Sequence, residues 1–538
     1  MKQLFSLCLL MWTTSLLYAQ PNLLKDIRSG FPSAFEATEE PFININDVLY
    51  FAANNGTLGT ELWRTDGTSN GTYFVTNINP SYLSSSPKSF IDFNGLLVFS
   101  AEKEGLGREI WISGGLHENT KLLKDINEEL NESSNPRDFV VLNNSLYFSS
   151  HNGFKSGLWK TDGTTEGTVL IKEVRIKQNT LAVLGNQLIF NGEVTQDDFG
   201  QELWISDGTI EGTNLLKDIN TGNDDSNPEN FYQVGNELFF TIDEPNTALW
   251  KTDGTSGGTQ KIMDAIIDNK TDFVVFKNEL YFDPQDENIG YELWKTDGTN
   301  AGTILVKDIN PMADGENDES EPEEFFVHGN HLYFVAKHKD FGKELWRTDG
   351  TNEGTELFVD LDEGNFSSFS TTTACTAIDD VFFFVAAPES LETGHELWQT
   401  DGTPEGTIML ADLNEGTENA FPTNLTTLNN QLIFIADNGI NGRELWSYGE
   451  SSITALENTM NAPQSLHLYP NPSTGSFQIT LPNTVTKINA TIKNMVGQTI
   501  AQYNNITQSQ KINIPQTGLY FIECSDGSTI WIEKIMIK

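Results

Sequence analysis

A tryptophan, a glutamate and an aspartate stand close together in one block of this sequence, and each could do chemistry. The block runs from Gly290 to Asn310 and reads GYELWKTDGTNAGTILVKDIN. A carboxylate can act as a general acid or base, and a tryptophan offers a large apolar ring for a ligand. The same block recurs along the chain, so a role in one site must be weighed against a structural role in all copies.

The tryptophan of this block occurs nine times, and successive copies are 44 to 52 residues apart. Repeats of about 40 to 50 residues are typical of propellers and solenoids. A sugar-stacking platform would favour aromatic residues in irregular exposed loops, whereas these occupy the most regular part of the repeat. We therefore predict that they pack in the core. They are Trp63, Trp111, Trp159, Trp204, Trp250, Trp294, Trp346, Trp398 and Trp446.

The aspartate of the block is followed by glycine in seven units. A catalytic carboxylate is expected once or as a pair, not in seven copies. Aspartate can cap a turn with its side chain, and the glycines permit backbone angles denied to other residues. The second and ninth units depart from this pattern through Gly114-Gly115 and Tyr448-Gly449. The predicted turn caps are Asp66, Asp162, Asp207, Asp253, Asp297, Asp349 and Asp401.

A second acidic series follows one strand of every unit and is expected to form a ring on one face. Its members are Asp26, Asp125, Asp218, Asp264, Asp308, Asp360 and Asp412, with Asn77 and Glu173 in the remaining units. Oxygen-rich loops suit Ca²⁺, and the candidate ligands are Asp314, Glu316 and Asp318. Glycine stands at the wrong offset there for an EF-hand. A solvated acidic loop is the alternative, and no other cofactor is expected.

Other catalytic patterns are absent from the sequence. There is no zinc-ligand spacing, no nucleophile elbow and no phosphate-binding loop, and the histidines follow no shared pattern. We therefore predict no catalytic residue and no cofactor-binding residue.

Each unit can be divided into four short strands. Two flank the DGT turn, and two flank a tight turn of Asn and Gly, as at Asn143-Asn144, which favours a two-residue hairpin. Four antiparallel strands per repeat make one propeller blade. The predicted fold is all-β: a closed β-propeller of about nine four-stranded blades, with eight as the other count, followed by a small Ig-like β-sandwich.

The two ends of the repeat array predict how the propeller closes. The ninth unit lacks the DGTxxGT segment, and its fourth strand has only a poor match at Ile453 to Leu456. The chain begins with such a strand, since Asn22 to Ile27 matches Asn214 to Ile219. We therefore predict that the N-terminal strand completes the last sheet, which would also protect sheet edges. An open superhelix is the alternative.

The N-terminus and the composition indicate an exported acidic protein. Lys2, the apolar run Leu4 to Leu17 and a cleavage point after Ala19 are typical of a signal peptide, so residues 1–19 are predicted to be removed. The other interpretation, a membrane anchor, would need about 20 apolar residues. The formal charge of −44 argues against binding nucleic acid. Cys375 and Cys524 are placed in different domains, so a disulfide framework is not expected.

The block GxELWxTDGTxxGTxLLKDI, seen at Gly290 to Ile309 and Gly200 to Ile219, resembles the ELWxxDGT repeat family of secreted bacterial proteins. The resemblance covers about Asn22 to Gly449. It implies an extracytoplasmic, propeller-like array, generally without an assigned activity. The propeller is predicted to occupy residues 20–449.

The tail after a linker at 450–465 has a different character. Its motifs include Leu468 to Gly475, Gly518 to Ile522 and Glu533 to Lys538, and residues 466–538 resemble the type A C-terminal sorting domain of the type IX secretion system. The resemblance implies a small sandwich recognised by the outer-membrane translocon and a Bacteroidota-like source. An ordinary adhesive sandwich is the alternative. The residues that carry the resemblance are Pro470, Asn471, Pro472, Gly475, Gly518, Tyr520, Lys534 and Lys538.

Three functions fit these observations. The first is a non-catalytic, secreted or cell-surface propeller that binds a polysaccharide, a protein or another surface component. The second is a glycan-directed hydrolase or lyase, which would need unrepeated polar residues converging at one mouth. The third is a structural surface-layer component. The sequence does not separate the first from the third.

Overall fold

A computed structural model of the chain forms two compact units, Met1–Ile453 and Thr454–Lys538. The division falls inside the segment predicted as a linker. The structure describes residues 20–36, 40–80, 82–194, 199–243, 247–267, 271–286, 288–311, 319–369, 375–449, 467–469, 475–480, 487–494, 499–507, 511–514, 518–525 and 530–537.

The first unit is built from antiparallel sheets, which confirms the all-β prediction. The N-terminal strand is β1 (Asn22–Lys25). Sheets 1 to 3 contain β2 (Ile43–Asn44), β3 (Leu49–Asn54), β4 (Thr60–Thr65) and β5 (Tyr73–Thr76); β6 (Lys88–Phe93), β7 (Leu96–Lys103), β8 (Gly107–Ser113) and β9 (Lys121–Lys124); and β10 (Arg137–Leu142), β11 (Ser145–His151), β12 (Ser156–Thr161) and β13 (Val169–Glu173).

Sheets 4 to 6 include one five-stranded sheet. They contain β14 (Arg175–Ile176), β15 (Ala182–Leu184), β16 (Gln187–Glu193), β17 (Glu202–Ser206) and β18 (Asn214–Lys217); β19 (Glu229–Val234), β20 (Glu237–Ile242), β21 (Ala248–Thr252) and β22 (Gln260–Asp264); and β23 (Phe273–Phe276), β24 (Glu279–Phe282), β27 (Leu293–Thr296) and β28 (Ile304–Lys307). A separate ribbon pairs β25 (Gln285–Asp286) with β26 (Gly290–Tyr291).

Sheets 7 to 9 end the first unit. They contain β29 (Glu323–His328), β30 (His331–His338), β31 (Gly342–Thr348) and β32 (Glu356–Val359); β33 (Thr376–Ile378), β34 (Val381–Ala386), β35 (Glu396–Thr400) and β36 (Ile408–Ala411); and β37 (Thr423–Leu428), β38 (Gln431–Asp437), β39 (Arg443–Tyr448) and the N-terminal β1. Two short 3-10 helices, His117–Asn119 and Glu389–Leu391, lie in connections.

The ninth sheet is completed from the other end of the chain. Strand β1 pairs antiparallel with β39, with Asn22 opposite Ser447 and Leu23 opposite Trp446. The amide of Asn424, in β37, donates to the Glu40 carbonyl at 3.1 Å, 384 residues away. The last sheet is therefore joined to the beginning of the chain at its outer and its inner strand.

A buried apolar cluster lies between each sheet and the next, and another lies between the ninth sheet and the first. In the last of these, Ile433 and Leu445 pack with Leu49, Phe51 and Trp63. The repeated tryptophan lies in the third strand of each sheet. Seven copies are 3% to 7% exposed, while Trp250 and Trp294 are partly buried. Their large apolar area is thereby removed from water.

The hairpins that start the sheets use residues able to adopt positive φ. At the turn between β10 and β11, Asn143 and Asn144 have φ values of 50° and 60°. Both central residues of a type I′ turn need such values, and its twist matches that of the flanking strands. The expected two-residue hairpins are therefore present.

The second unit has two antiparallel sheets over one core. One contains β40 (His467–Tyr469), β41 (Ser476–Thr480) and β44 (Lys511–Asn513), and the other contains β42 (Ile488–Asn494), β43 (Thr499–Ile506), β45 (Gly518–Ser525) and β46 (Ile530–Ile537). Phe477 and Ile479 from the first sheet share a buried cluster with Ile492, Ile522 and Ile535 from the second. The described part of the chain contains no helix of the length and apolarity needed to cross a membrane.

Candidate functional site

Two kinds of connection meet at one end of the sheets of the first unit. One joins the second strand of a sheet to its third, and the other leads from the fourth strand to the next sheet. Strand alternation puts both at the same end, which we call the loop face. They are bonded together: Glu104 N donates to Asn79 Oδ1 at 3.0 Å, and Lys339 N donates to Asn310 Oδ1 at 3.1 Å. We call the opposite end, with the tight turns and the DGT turns, the hairpin face.

A glycine two residues before the glutamate of ELW lets these connections cross. Gly342 has a φ of 69°, and a Cβ there would lie 1.7 Å from the carbonyl oxygen of Phe366. At Gly107, with a φ of 76°, the equivalent distance to the Glu132 carbonyl oxygen is 2.4 Å. Only a residue without a side chain fits such a close approach of backbone to backbone.

The glutamate of ELW is fully buried and braces the crossing connection. Glu292 Oε2 accepts hydrogen bonds from Ile309 N at 2.7 Å and from Ser320 Oγ at 2.7 Å, and Oε1 accepts one from Asn310 N at 3.3 Å. The third strand of the sheet is thereby tied to the connection that leaves it. The same position is 0% exposed in Glu61, Glu109, Glu202, Glu292, Glu344, Glu396 and Glu444.

Burial raises the pKa of all seven carboxyls, because water no longer solvates the charged form. The pKa rises to about 6 for Glu61, about 7 for Glu292 and about 8 for Glu344 and Glu396, although the donated hydrogen bonds oppose the rise. A raised carboxyl pKa is often a sign of acid–base catalysis. These groups are closed off from solvent and repeated seven times, so we assign them to structure.

The third and fifth units lack both the glycine and the glutamate. The third has Lys155 and Gly157 at these positions, and the fifth has Asn246 and Ala248. In the fifth unit, Ala265 N donates directly to Thr247 O at 3.3 Å. The brace is therefore missing on either side of sheet 4.

A cleft of about 420 Å³ opens on the loop face at the fifth sheet. Thr241 Oγ1 accepts a hydrogen bond from Asn230 Nδ2 at 3.1 Å, and the Lys177 ammonium forms an ion pair with Glu229. The cleft thus has an ordered polar wall. Its lining consists of Asn227, Glu229, Asn230, Thr241, Ile242, Asp243, Thr247 and Ile267.

The loop face also carries the most exposed large apolar side chains of the first unit. Phe31, Tyr82, Leu130, Phe154 and Ile440 are between 72% and 85% exposed. Elsewhere in the described part of this unit, exposed large apolar side chains reach at most 58%, at Ile210. Further apolar side chains of the loop face that are at least 38% exposed are Leu83, Phe199, Ile266, Phe366, Leu391 and Phe421.

The DGT aspartates lie on the hairpin face, away from this surface. Asp297 Oδ1 accepts hydrogen bonds from Thr299 N at 2.8 Å and from Thr299 Oγ1 at 2.7 Å. These bonds lower the pKa of the Asp297 carboxyl. Asp66 and the other aspartates of the series accept the same two bonds.

The second acidic series lies mostly at the start of the crossing connections. Asp218 and Asp412 accept hydrogen bonds from the backbone N–H groups of Gly222 and Gly416. Asp264 instead ends β22 and pairs with Lys261, and Glu173 pairs with Lys155. The described residues contain no group of three or more His, Cys, Asp or Glu able to hold a metal ion.

Several predicted residues fall outside the described part of the chain: Ala19, Asp314, Glu316, Asp318, Pro470, Asn471, Pro472 and Lys538. Of the remaining tail residues, Gly475 has a φ of 104°, Gly518 begins β45, Tyr520 is buried and Lys534 lies within β46.

Sequence reasoning missed the Gly-x-Glu brace and the cleft. The signal was present, because both residues are lost together in the third and fifth units. The role of the glutamate is not visible in the block itself, because the glutamate has no hydrogen-bond partner nearby in sequence. Its donors lie 17 to 28 residues further along, as for Ile309 and Ser320.

The tail matches a known family. Residues 467–538 match the family model of the secretion system C-terminal sorting domain. The chain therefore carries a C-terminal sorting domain of the type IX secretion system, and it is a secreted or outer-membrane surface protein. A comparison with curated proteins found no match.

Similar solved structures include three with low identity. A puromycin hydrolase mutant complexed with PGG is 11% identical, with a TM-score of 0.33 over 66% of this chain and 59% of that one. PorZ, a bacterial surface component of the type IX secretion system of Porphyromonas gingivalis, is 10% identical, with a TM-score of 0.25 over 94% and 87%. Prolyl oligopeptidase B from Galerina marginata is 11% identical, with a TM-score of 0.35 over 69% and 56%. The chain spans about three fifths of the puromycin hydrolase, and these likenesses carry no conclusion about activity.

Proposed function

We propose that the first unit is a closed nine-bladed β-propeller of the ELWxxDGT type, and that its loop face binds a macromolecular partner outside the cell without catalysis. The closed arrangement is supported by the pairing of β1 with β39 and by the apolar cluster between the ninth and first sheets. Closure leaves no sheet edge open to pairing with other chains.

The observation that carries the binding role is the set of exposed apolar side chains on the loop face. Phe31, Tyr82 and Phe154 are 72%, 85% and 84% exposed. Exposed apolar surface framed by polar residues marks interaction sites in soluble proteins. The connections that hold Phe31 and Tyr82 are braced by the buried Glu444 and Glu61, which accept hydrogen bonds from Ile27 N and Ile78 N, so these two side chains are presented on a fixed support.

A binding role fits the carboxyl groups better than a catalytic one. The repeated glutamates have raised pKa values, but no atom of a substrate could reach them while they are 0% exposed. The DGT aspartates accept hydrogen bonds within their own turns, which occupies the carboxylate oxygen that would otherwise face a substrate. We therefore propose a binding protein in preference to a hydrolase or lyase.

The tail supplies the signal for export to the outer side of the outer membrane. We propose that residues 467–538 engage the outer-membrane translocon, and that the propeller then acts on the outer side of that membrane. The net charge of −44 favours a neutral or cationic partner over an anionic one.

The experiment compares the mature full chain with two triple variants by fluorescence binding to intact producing cells. The first variant combines Phe31→Ser, Tyr82→Ser and Phe154→Ser. The second combines Leu96→Ser, Leu116→Ser and Val169→Ser, whose side chains are 41%, 39% and 43% exposed beside the hairpin face. We expect the first to lose at least tenfold in affinity and the second to bind as the unchanged protein does. Equal binding by all three would overturn the proposal. Self-association of the chain in ultracentrifugation, without cell binding, would favour a surface-layer component.

A further inference from the structure

The cleft at the fifth sheet lies in a unit that lacks the buried glutamate found in seven others. In those units, the fully buried glutamate ties the third strand to the crossing connection. The fifth unit has Ala248 instead, which is 1% exposed and carries no polar group. The neighbouring residue Thr247 and, beyond β22, Ile267 contribute to the lining of the cleft.

The polar groups of the cleft both donate and accept hydrogen bonds. Asn227 and Asn230 present amides, Thr247 a hydroxyl and Asp243 a carboxylate. Among the described residues, no hydrogen bond to the side chain of Asn227, Asp243 or Thr247 is formed. An ammonium or guanidinium ligand can only donate hydrogen bonds. The N–H and O–H groups of the cleft would then find no acceptor on the ligand. Sugar hydroxyls can donate and accept at each of these positions.

The charge of the cleft disfavours an anionic ligand. Glu229 is paired with Lys177, which leaves Asp243 as the unpaired carboxylate of the lining. A phosphate, sulfate or uronate group would be repelled by Asp243 and by the acidic surface around it. A neutral ligand meets no such penalty, and a carboxylate strengthens the bonds that hydroxyl groups donate to it.

The floor of the cleft is apolar. Ile242 and Ile267 are 4% and 8% exposed and lie among the polar lining. The C–H groups on one side of a pyranose ring suit such a floor, while its hydroxyls reach the polar walls. The volume of about 420 Å³ lies in the range of roughly 300 to 1,000 Å³ that is usual for ligand sites.

We propose that this cleft is the subsite that selects a neutral sugar unit of a polysaccharide ligand. The inference rests on the proposed binding function of the loop face and names its ligand class. Asp243, Asn230 and Thr247 hold the hydroxyls, and the exposed aromatic side chains of neighbouring connections contact the chain beyond the selected unit.

The test is isothermal titration of the mature full chain with neutral hexasaccharides of glucose, mannose, xylose, galactose and N-acetylglucosamine. Two substitutions probe the cleft: Asp243→Asn removes its charge, and Asp243→Trp fills its mouth. Asp437→Asn and Asp437→Trp are the matched controls, because Asp437 stands at the equivalent end of the second strand in the ninth sheet. We expect one of the saccharides to bind, a loss of at least fivefold with Asp243→Asn, complete loss with Asp243→Trp and unchanged binding in both controls.

Other results separate this inference from the function on which it rests. If the unchanged protein binds cells but no saccharide, the subsite is wrong and the binding role stands. Equal affinity in Asp243→Trp also overturns the subsite. A hepta-arginine peptide that binds with Asp243-dependent affinity, while the saccharides do not, would show a cationic ligand instead. Failure of the unchanged protein to bind either cells or saccharides would remove both proposals.

Discussion

The carboxylate of Glu444 accepts hydrogen bonds from Ile27 N at 2.7 Å and Arg28 N at 3.0 Å, across 417 residues in the case of Ile27. In other units the same glutamate binds the connection that leaves its own sheet. In the ninth sheet the outer strand is β1, and the connection that leaves it is the N-terminal segment with Ile27 and Arg28. The N-terminal segment therefore supplies both the fourth strand and the donors to the glutamate. Stability at this seam therefore depends on both ends of the first unit.

Deletion of residues 20–27 should open the seam. The ninth sheet would lose its outer strand, Glu444 would lose its buried donor Ile27 N, and the apolar cluster with the first sheet would lose Leu24 and Ile27. We expect a lower Tm and a loss of amide protection centred on Arg443–Tyr448, measured by hydrogen exchange. A synthetic peptide of residues 20–30 should restore protection, and one with Leu23→Asp and Leu24→Asp should not. Uniform loss of protection over all sheets would contradict the prediction.

Removal of one brace should destabilise the protein strongly. Glu292→Ala leaves the N–H groups of Ile309 and Asn310 and the hydroxyl of Ser320 without their acceptor. A buried group left without a partner costs roughly 1 to 3 kcal/mol, and we expect a loss of about 2 to 4 kcal/mol in chemical denaturation. Glu319→Ala, at a nearby residue of the same connection, is the control and should change stability by less than about 0.5 kcal/mol. Similar losses in the two variants would show that the brace has no special role.

Stability should fall as the pH rises from about 5 to 8. Six of the buried glutamates have pKa values raised to about 6 to 8, against an ordinary value of 4.5, and burial raises the pKa of Glu202 as well. The folded protein therefore holds protons that the unfolded chain has released, and this contribution is fully present below 4.5 and lost as the pH passes the folded pKa. The pKa values of six DGT aspartates are lowered, so their contribution to stability is lost only in acid, below this pH range; they are Asp162, Asp207, Asp253, Asp297, Asp349 and Asp401. Tm measured from pH 4 to 9 should thus be highest near pH 4.5 to 6.

Salt separates this effect from repulsion between exposed acidic groups. Repulsion at the surface is screened at 0.5 M NaCl, whereas the desolvation of buried carboxyls is not. The decline in Tm should therefore persist at high salt and become shallower in Glu292→Gln, which cannot ionise. A Tm that does not change between pH 5 and 8 at high salt would contradict the prediction.

The crossing glycines can be tested with a matched pair. Gly342 and Gly329 have φ values of 69° and 58°, so alanine is strained at both. A Cβ at Gly342 would meet the Phe366 carbonyl, while one at Gly329 would meet nothing within 4 Å. The strain alone costs about 1 to 2 kcal/mol. We expect Gly329→Ala to lower stability by that amount and Gly342→Ala by at least twice as much, measured by urea denaturation. Equal losses would mean that the connection moves aside easily.

The sequence predicted the strands and turns well because their causes are local. Asn143 and Asn144 favour a hairpin by their own backbone preferences, and Asp297 finds its donors two residues away. The match of Asn22 to Ile27 with an outer strand could also be seen, since a repeat unit shows what is missing from it. These features need no knowledge of the packing.

The brace and the cleft could not be predicted in the same way, because their partners come together only through folding. In the sequence, Glu292 is an ordinary polar residue near Trp294. Its buried position becomes evident only when the connection that contains Ser320 packs over it in the folded chain. Likewise, Ala248 stands in the fifth unit where seven other units have glutamate, and the sequence alone does not show what this difference removes. The cleft of the same unit is formed by the connection before β19, by β20 and by Ile267 beyond β22, which meet only in the folded chain.

In the closed arrangement proposed above, the pairing of β1 with β39 means that the chain could begin at any of the nine units and still form the same set of sheets. The two ends of the repeat array, residues 22 and 449, both belong to the ninth sheet. The contact of this sheet with the first sheet is a buried apolar cluster, as it is between the other neighbouring sheets. A circular permutant that links these ends and starts instead in the connection before β6 should fold to the same structure. In the present order of the units, all nine sheets precede residues 467–538, so the repeat array is not interrupted by the sorting domain.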